Sequence, residues 1–177
     1  MSDLGPTRRL WGSVMSMSFG FWLYLACAVW VGVMAGFFFA FSFVVMPGLS
    51  AMEPLAALAS MQAINLAVRN AVFALGFFGA LILCIGVALH ALIRRDAPAW
   101  RLALSAALSY LVGAFGVTTL FNVPLNAEIA PLDPARPENA GAMVAYISQW
   151  TLWNHVRTLA SLAAFVLLLL SLRSGKE

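Results

Sequence analysis

Between residues 20 and 46 the chain carries no charged side chain, and the same holds for residues 71–92 and 102–121. A helix needs about 20 apolar residues to cross the ~30 Å hydrocarbon core of a bilayer, and each of these runs reaches that length. A fourth run, residues 159–172, is almost purely apolar, and helical pattern leads into it from about residue 140. In lipid, backbone polar groups find no water, so lone spanning segments of this kind must be helical. The composition agrees: 63% hydrophobic and 10% charged, with a mean hydropathy of +0.92. A soluble domain is about half apolar and a quarter charged. The expected fold class is all-α, an integral membrane four-helix bundle. It is read as one transmembrane domain, residues 19–173, between an N-terminal leader (1–18) and a short C-terminal tail (174–177).

The Arg8-Arg9 pair fits an export signal, but the apolar run behind it is far longer than a signal peptide's core. An uncleaved first span is the expectation. Along it Ala28, Gly32, Gly36 and Ala40 recur every fourth residue, a small-residue stripe that lets another helix approach closely. Pro47-Gly48 is expected to end the helix. Phe37, Phe38, Phe39, Phe41 and Phe43 either line an aromatic pocket or simply pack and face lipid.

Pro54 suits the first position of a second helix, and no breaker follows before Arg95. Those residues exceed the membrane thickness about twofold. Residues 71–92 are taken as embedded, with residues 54–70 projecting beyond the membrane or bending along it. In that projecting part Gln62, Asn65 and Arg69 share a helical face, either solvated or functional. The third helix, residues 102–121, carries Ser105, Ser109, Gly113 and Gly116 along a packing stripe and finishes in FNVPLN (121–126). Residues 125–138 are the most loop-like. The last helix is expected to run unbroken to Leu172, so helices 2 and 4 extend beyond the membrane on the outer side. With four spans, Arg8, Arg9, Arg94, Arg95, Arg101, Arg173 and Lys176 fall on one side and only Arg69, Arg136 and Arg157 on the other. The positive-inside rule then places both termini in the cytoplasm of an inner or plasma membrane. It gathers the Gln62/Asn65/Arg69 face, FNVPLN and WTLWNHVRT (150–158) at the outer end.

WTLWNHVRT is the chemically richest stretch. Trp150, Asn154, Arg157 and Ser161 share one helical face, and His155 lies about 100° round from Asn154. Ionisable groups inside a membrane are costly and usually face a bundle interior or a wet cavity. His155 is the candidate base near neutral pH, while Arg157 and the amides of Asn65, Asn122, Asn126 and Asn154 are candidate oxyanion donors. The bland alternative makes Trp150 and Trp153 interfacial anchors and the asparagines helix caps. Several chemistries are disfavoured. His90 and His155 lie about a bilayer apart, against bis-histidine haem, and no cluster has metal-ligand spacing. There is no nucleotide fingerprint, and no acidic residue mid-membrane to drive a proton pump. The net charge of +3 sits at segment ends and does not point to nucleic acid. Cys27 and Cys84 lie in apolar runs and are expected to be buried thiols.

GFFFAFSFVVMPGL (36–49), MQAIN (61–65), FNVPLN and WTLWNHVRT together resemble the DUF1772 family of small four-helix, anthrone oxygenase-like membrane proteins. The resemblance covers about residues 20–172. It implies conversion of an apolar phenolic or anthrone-like compound by O₂ without metal, flavin or other cofactor, in a pocket at the outer membrane face. It also implies matching positions at Asn65, Asn122, Pro124, Asn126, Trp150, Asn154, His155 and Arg157. In that reading His155, Arg157 and Asn154 are catalytic, and Asn65, Asn122, Asn126, Trp150, Gln62 and Arg69 bind substrate. The partners are a small apolar aromatic molecule, O₂ and membrane lipid, with homo-oligomerisation left open. The rival is a non-catalytic membrane module, an accessory subunit or ligand binder whose polar rim only organises helix ends.

Overall fold

The computed structural model describes residues 19–95 and 99–174; the leader, with Arg8 and Arg9, and the tail, with Lys176, lie outside the described residues. Five helices occupy it, and no strand occurs among the described residues. The helix α1 covers Phe19–Ser50, α2 Pro54–Ala67, α3 Ala71–Ile93, α4 Trp100–Ile129 and α5 Ala140–Ser174. All but α2 are long and apolar enough to cross a membrane, and the chain is a membrane protein of four spans. Around the bundle the order is α1, α3, α4, α5, each packed on its two neighbours, with α2 laid across α5 and the last turns of α4. Val33, Ile82, Val112 and Leu159 are exposed on the outside, as lipid-facing side chains must be.

Two apolar cores result. One fills the bundle around Cys27, Val31, Phe77, Ala107 and Leu168. The other joins α2 to the adjoining ends of α1, α4 and α5 through Met46, Leu58, Met61, Ile129, Met143 and Trp150. Cys27 and Cys84 are free thiols, their sulfurs 3.6 Å apart in the first core. The α4 stripe serves as expected: Ser109 donates to the Ala160 carbonyl at 3.0 Å, and a Cβ on Gly113 would collide with the Ala160 side chain. On α1 only part of the stripe is used, since Gly32 meets Phe165 while Gly36 faces open space.

Three boundaries differ from the sequence expectation. Pro47-Gly48 does not end α1; helix continues to Ser50. A π-helical turn, Phe41–Val45, comes first, and the Met46 N–H reaches back five residues to the Phe41 carbonyl. The widened turn relieves the clash a proline ring makes with the carbonyl four residues back. FNVPLN is handled identically. Thr118–Asn122 is π-helical, the Val123 N–H bonds the Thr118 carbonyl, and α4 runs past Pro124 to Ile129. Conversely, the expected continuous second helix breaks at residues 68–70. Asn70 takes an extended conformation and caps α3, its side chain accepting from the Phe73 N–H at 2.9 Å. The last helix is 35 residues long, a rise of about 52 Å, so it and α2 both reach past the spanning region.

Candidate functional site

A cavity of about 540 Å³ opens where the two cores meet, within the roughly 300–1,000 Å³ usual for small-molecule sites. Its walls are aromatic: Phe37 and Phe41 from α1, Phe73, Phe77 and Phe78 from α3, and Trp150 from α5. Phe37 packs on Phe41 and Phe73, and Phe77 stacks on Phe73, so the wall is one continuous aromatic surface. Asn65, Arg69 and Asn70 contribute from α2 and the α2–α3 turn, and Thr118, Asn122 and Asn126 from α4. Among the described residues the lining includes two arginines, Arg69 and Arg157, and no Asp, Glu, His or Cys.

Arg157 is the central feature. It is 5% exposed, and its guanidinium lies between the rings of Phe38 and Trp150, 4.6 and 4.8 Å from their centroids. One terminal nitrogen, Nη2, donates to Asn154 Oδ1 at 2.7 Å, and Nη1 donates to Thr118 Oγ1 at 3.2 Å. Nε has no partner. These bonds use two of the five N–H donors of a guanidinium. Among the described residues no carboxylate pairs with it. A buried cation normally has a counter-charge, because desolvating it alone costs several kcal/mol. Two aromatic faces offset part of that cost.

The surrounding polar groups hold this cation in place. Asn154 is fully buried and donates through Nδ2 to the Phe38 carbonyl and to Ser42 Oγ, both at 2.7 Å. Because a carbonyl only accepts, the remaining Asn154 atom is the oxygen that receives Arg157. Thr158 Oγ1 donates to the Asn154 carbonyl at 2.8 Å, so at the 3.1 Å contact Ser42 donates to Thr158. Every polar atom of the Asn154 side chain is thus engaged. It does not line the cavity, and its place is behind Arg157.

Towards the α2 end, Trp150 Nε1 and the Tyr146 hydroxyl both donate to Asn126 Oδ1 at 2.8 Å. An indole N–H can only donate, which fixes the amide's orientation and leaves its Nδ2 group to the cavity. Asn122 is 1% exposed and donates to the Trp150 carbonyl at 3.2 Å, while its Oδ1 is buried without a partner.

Of the nine site residues expected from sequence, Asn65, Arg69, Asn122, Asn126, Trp150 and Arg157 come together on the cavity. Three do not. Gln62 is one turn removed from Asn65 and donates instead to the Ile129 and Leu132 carbonyls at 2.9 and 2.8 Å. It ties α2 to the end of α4 rather than touching a ligand. Asn154 stands behind the wall. His155, one residue on, is rotated to the other side of α5. There its ring lies 5.4 Å from Phe43, in an open groove with Met46, Pro47 and Thr151. The phenylalanine cluster splits accordingly: Phe37 and Phe41 face the cavity, Phe38 lies against Arg157, and Phe39 and Phe43 are exposed.

A family model described as "Anthrone oxygenase" matches residues 70–167, just over half of the chain. The chain belongs to the anthrone oxygenase family. No curated protein and no solved structure matches it. The matched anthrone oxygenase segment takes in α3, α4 and most of α5, with Arg157, Asn154, Thr118, Asn122, Asn126 and Trp150. Asn65, Arg69, Phe37 and Phe41 enter the cavity from outside it. Thr118, Phe73 and Phe77 are cavity residues that the sequence reading passed over. Thr118, Asn122 and Asn126 stand at four-residue spacing on one face of α4, a signal that vanishes if the helix is taken to stop at residue 121.

Proposed function

We propose that this protein is a cofactor-independent oxygenase acting on an anthrone-like aromatic carbon acid, with Arg157 holding the oxyanion from which O₂ reacts. The observation that carries this reading is a buried guanidinium without a carboxylate partner, set in an aromatic cavity in a chain of the anthrone oxygenase family. An anthrone C–H is acidic because its conjugate base is an aromatic phenolate-type oxyanion. Arg157 stabilises that anion and so promotes loss of the proton. With His155 on the far side of α5, the proton passes to water at the cavity mouth rather than to a side-chain base. The electron-rich anion transfers an electron to O₂ and the C–O bond forms, giving a hydroperoxide after reprotonation. Loss of the remaining C–H proton with cleavage of the O–O bond expels water and leaves the carbonyl. The sum is R₂CH₂ + O₂ → R₂C=O + H₂O. An apolar wall suits both a flat ring system and dissolved O₂. A purely structural module needs its polar groups satisfied by one another without intervening space; a 540 Å³ cavity and an unpartnered Nε weigh against that rival. We place the protein in an inner or plasma membrane with both termini cytoplasmic and the cavity at the outer face, from the distribution of arginines.

The test is oxygen uptake by purified, detergent-solubilised protein given emodin anthrone, corrected for autoxidation. Wild type should consume O₂ well above the blank. Arg157→Gln should lose about 10²–10³-fold in rate, the usual scale for one oxyanion donor, whereas His155→Ala should stay within about twofold, as expected for a group outside the site. No uptake above the blank by wild type rejects the reading, and inactivity confined to His155→Ala rejects the mechanism.

A further inference from the structure

The place of the cavity's mouth in the fold says from which solvent a ligand arrives. Of the residues that line the cavity, the exposed ones gather along one edge: Arg69, Asn70, Ala71 and Phe78 on the α3 side, Val123 and Ala127 on α4. The other lining residues are buried or half-buried. The spans α3 and α4 are neighbours in the bundle, and α4 packs on α3 through its residues 100–116. Phe115 closes that seam, its ring 5.4 Å from Phe77 and 6.5 Å from Phe78. Further along, the cavity itself separates the two helices, with Ala71 and Ala74 on one side of it and Thr118 and Val123 on the other.

The length of α3 fixes the depth of this opening. Its 23 residues rise about 34 Å, little more than the ~30 Å hydrocarbon core of a bilayer. The first turn of α3 therefore stands at the membrane surface, and Phe78, two turns further on, lies about 10 Å below it. Arg69 and Asn70 mark the upper edge of the mouth, where water is at hand. Its lower part is bounded by Phe78 and Val123, 50 and 52% exposed. The surface beside it is apolar and turned outward: Val72, Leu75 and Leu120 are 82, 64 and 69% exposed, as side chains against lipid can be. The mouth thus opens sideways into the half of the bilayer adjoining α2. Flat aromatic molecules and O₂ both dissolve more readily in hydrocarbon than in water, so lipid is where both are concentrated.

We propose that this opening is a lateral port through which neutral, membrane-dissolved aromatic ligands enter from the bilayer and return to it, with Phe78 and Val123 setting its width. The proposal rests on the ligand-binding reading of the cavity and not on the oxygen chemistry. Two measurements in phosphatidylcholine nanodiscs test it. The first locates the mouth without any ligand: a nitroxide is attached at Phe78→Cys or Val123→Cys, in protein whose buried Cys27 and Cys84 are replaced by alanine. Its relaxation by O₂ should exceed that by a water-soluble nickel chelate, and the order should reverse at the exposed loop position Glu138→Cys. The second follows the route, by stopped-flow quenching of tryptophan fluorescence with chrysophanol, a neutral anthraquinone; Trp150 lies in the cavity wall. Val123→Phe should slow both association and release by about tenfold, within the range over which variants of one site change their association rates, and Val123→Ala should speed both. Stronger relaxation by the nickel chelate at both mouth positions, or association rates unchanged in both Val123 variants, overturns the port and leaves the oxygenase reading standing. Failure of wild type to bind chrysophanol overturns the port and the ligand reading of the cavity together.

Discussion

Asn154→Asp is the sharpest test of the idea that Arg157 works because it lacks a counter-charge. The substitution changes one atom's identity at the position that already touches the guanidinium, with Nη2 at 2.7 Å from Oδ1. Shape and volume are preserved, and Arg157 acquires a carboxylate. A bound oxyanion about 2.8 Å beyond the same nitrogen would then lie about 5.5 Å from the new charge. At an effective dielectric of ~20 their repulsion is about 3 kcal/mol, roughly a hundredfold in kcat/KM. The variant also loses the two amide N–H donors: the Phe38 carbonyl is left without its partner, while the Ser42 hydroxyl can turn to donate to the carboxylate. The orphaned carbonyl costs about 1–3 kcal/mol, partly offset by the new ion pair, so the protein should still fold. Oxygen uptake with emodin anthrone and thermal unfolding monitored by tryptophan fluorescence separate the two effects. The expected outcome is a hundredfold slower enzyme with a modestly lowered Tm. Asn154→Ala is the control: it loosens Arg157 without neutralising it and should be slowed less. Wild-type turnover by Asn154→Asp at unchanged Tm would refute the account, since neither the charge nor the hydrogen bonds of Asn154 would then matter.

Two further predictions concern the scaffold. Gly113→Val should lower the Tm, with an overpacking cost of about 1–3 kcal/mol, because its side chain would run into Ala160 on α5. Gly36→Ala, with nothing within 4 Å of the added methyl, should leave the Tm unchanged or raise it. Gln62→Leu should destabilise the protein by about 1–2 kcal/mol through loss of its bonds to the Ile129 and Leu132 carbonyls. Its affinity for an anthraquinone such as emodin, measured by equilibrium dialysis, should match wild type, because Gln62 stands off the wall; a selective loss of affinity would return it to the site.

How much of this was legible beforehand depends on which physical rule each feature obeys. Spans are set by length and hydropathy, so all four could be read directly, and α5 begins at Ala140 as its pattern indicates. The shared face of Trp150, Asn154, Arg157 and Ser161 follows from helical spacing, and all four are buried. Spacing alone does not say which buried residue reaches a cavity and which stands behind it. Asn154 and Arg157 differ there only because Phe38 and Ser42 of α1 meet Asn154, a tertiary contact with no local trace. His155 illustrates the opposite case. Its chemistry made it the natural base, yet its angular offset from Asn154 already put it on another face. The break at residues 68–70 was missed because asparagine is a good helix cap but no obligatory breaker, and only packing decides which role Asn70 takes.

The two prolines carry the remaining lesson about how this sequence builds its site. Read locally, Pro47 and Pro124 are helix stops. In the folded chain each follows directly on a π-helical turn whose last N–H skips back five residues, so the helix absorbs the proline and continues. Those two turns hold Ser42 on α1 and Thr118 and Asn122 on α4, the side chains that meet Asn154, Arg157 and the Trp150 carbonyl of α5. Had the helices ended at the prolines, Asn126 would fall in a loop and lose its fixed bonds to Tyr146 and Trp150. Had they continued as regular α-helix, the proline rings would meet the carbonyls of Phe43 and Leu120. The extra residue in each turn resolves that conflict and alters the angular register of everything beyond it. The polar cradle around Arg157 therefore depends on side chains held where two helices widen ahead of a proline.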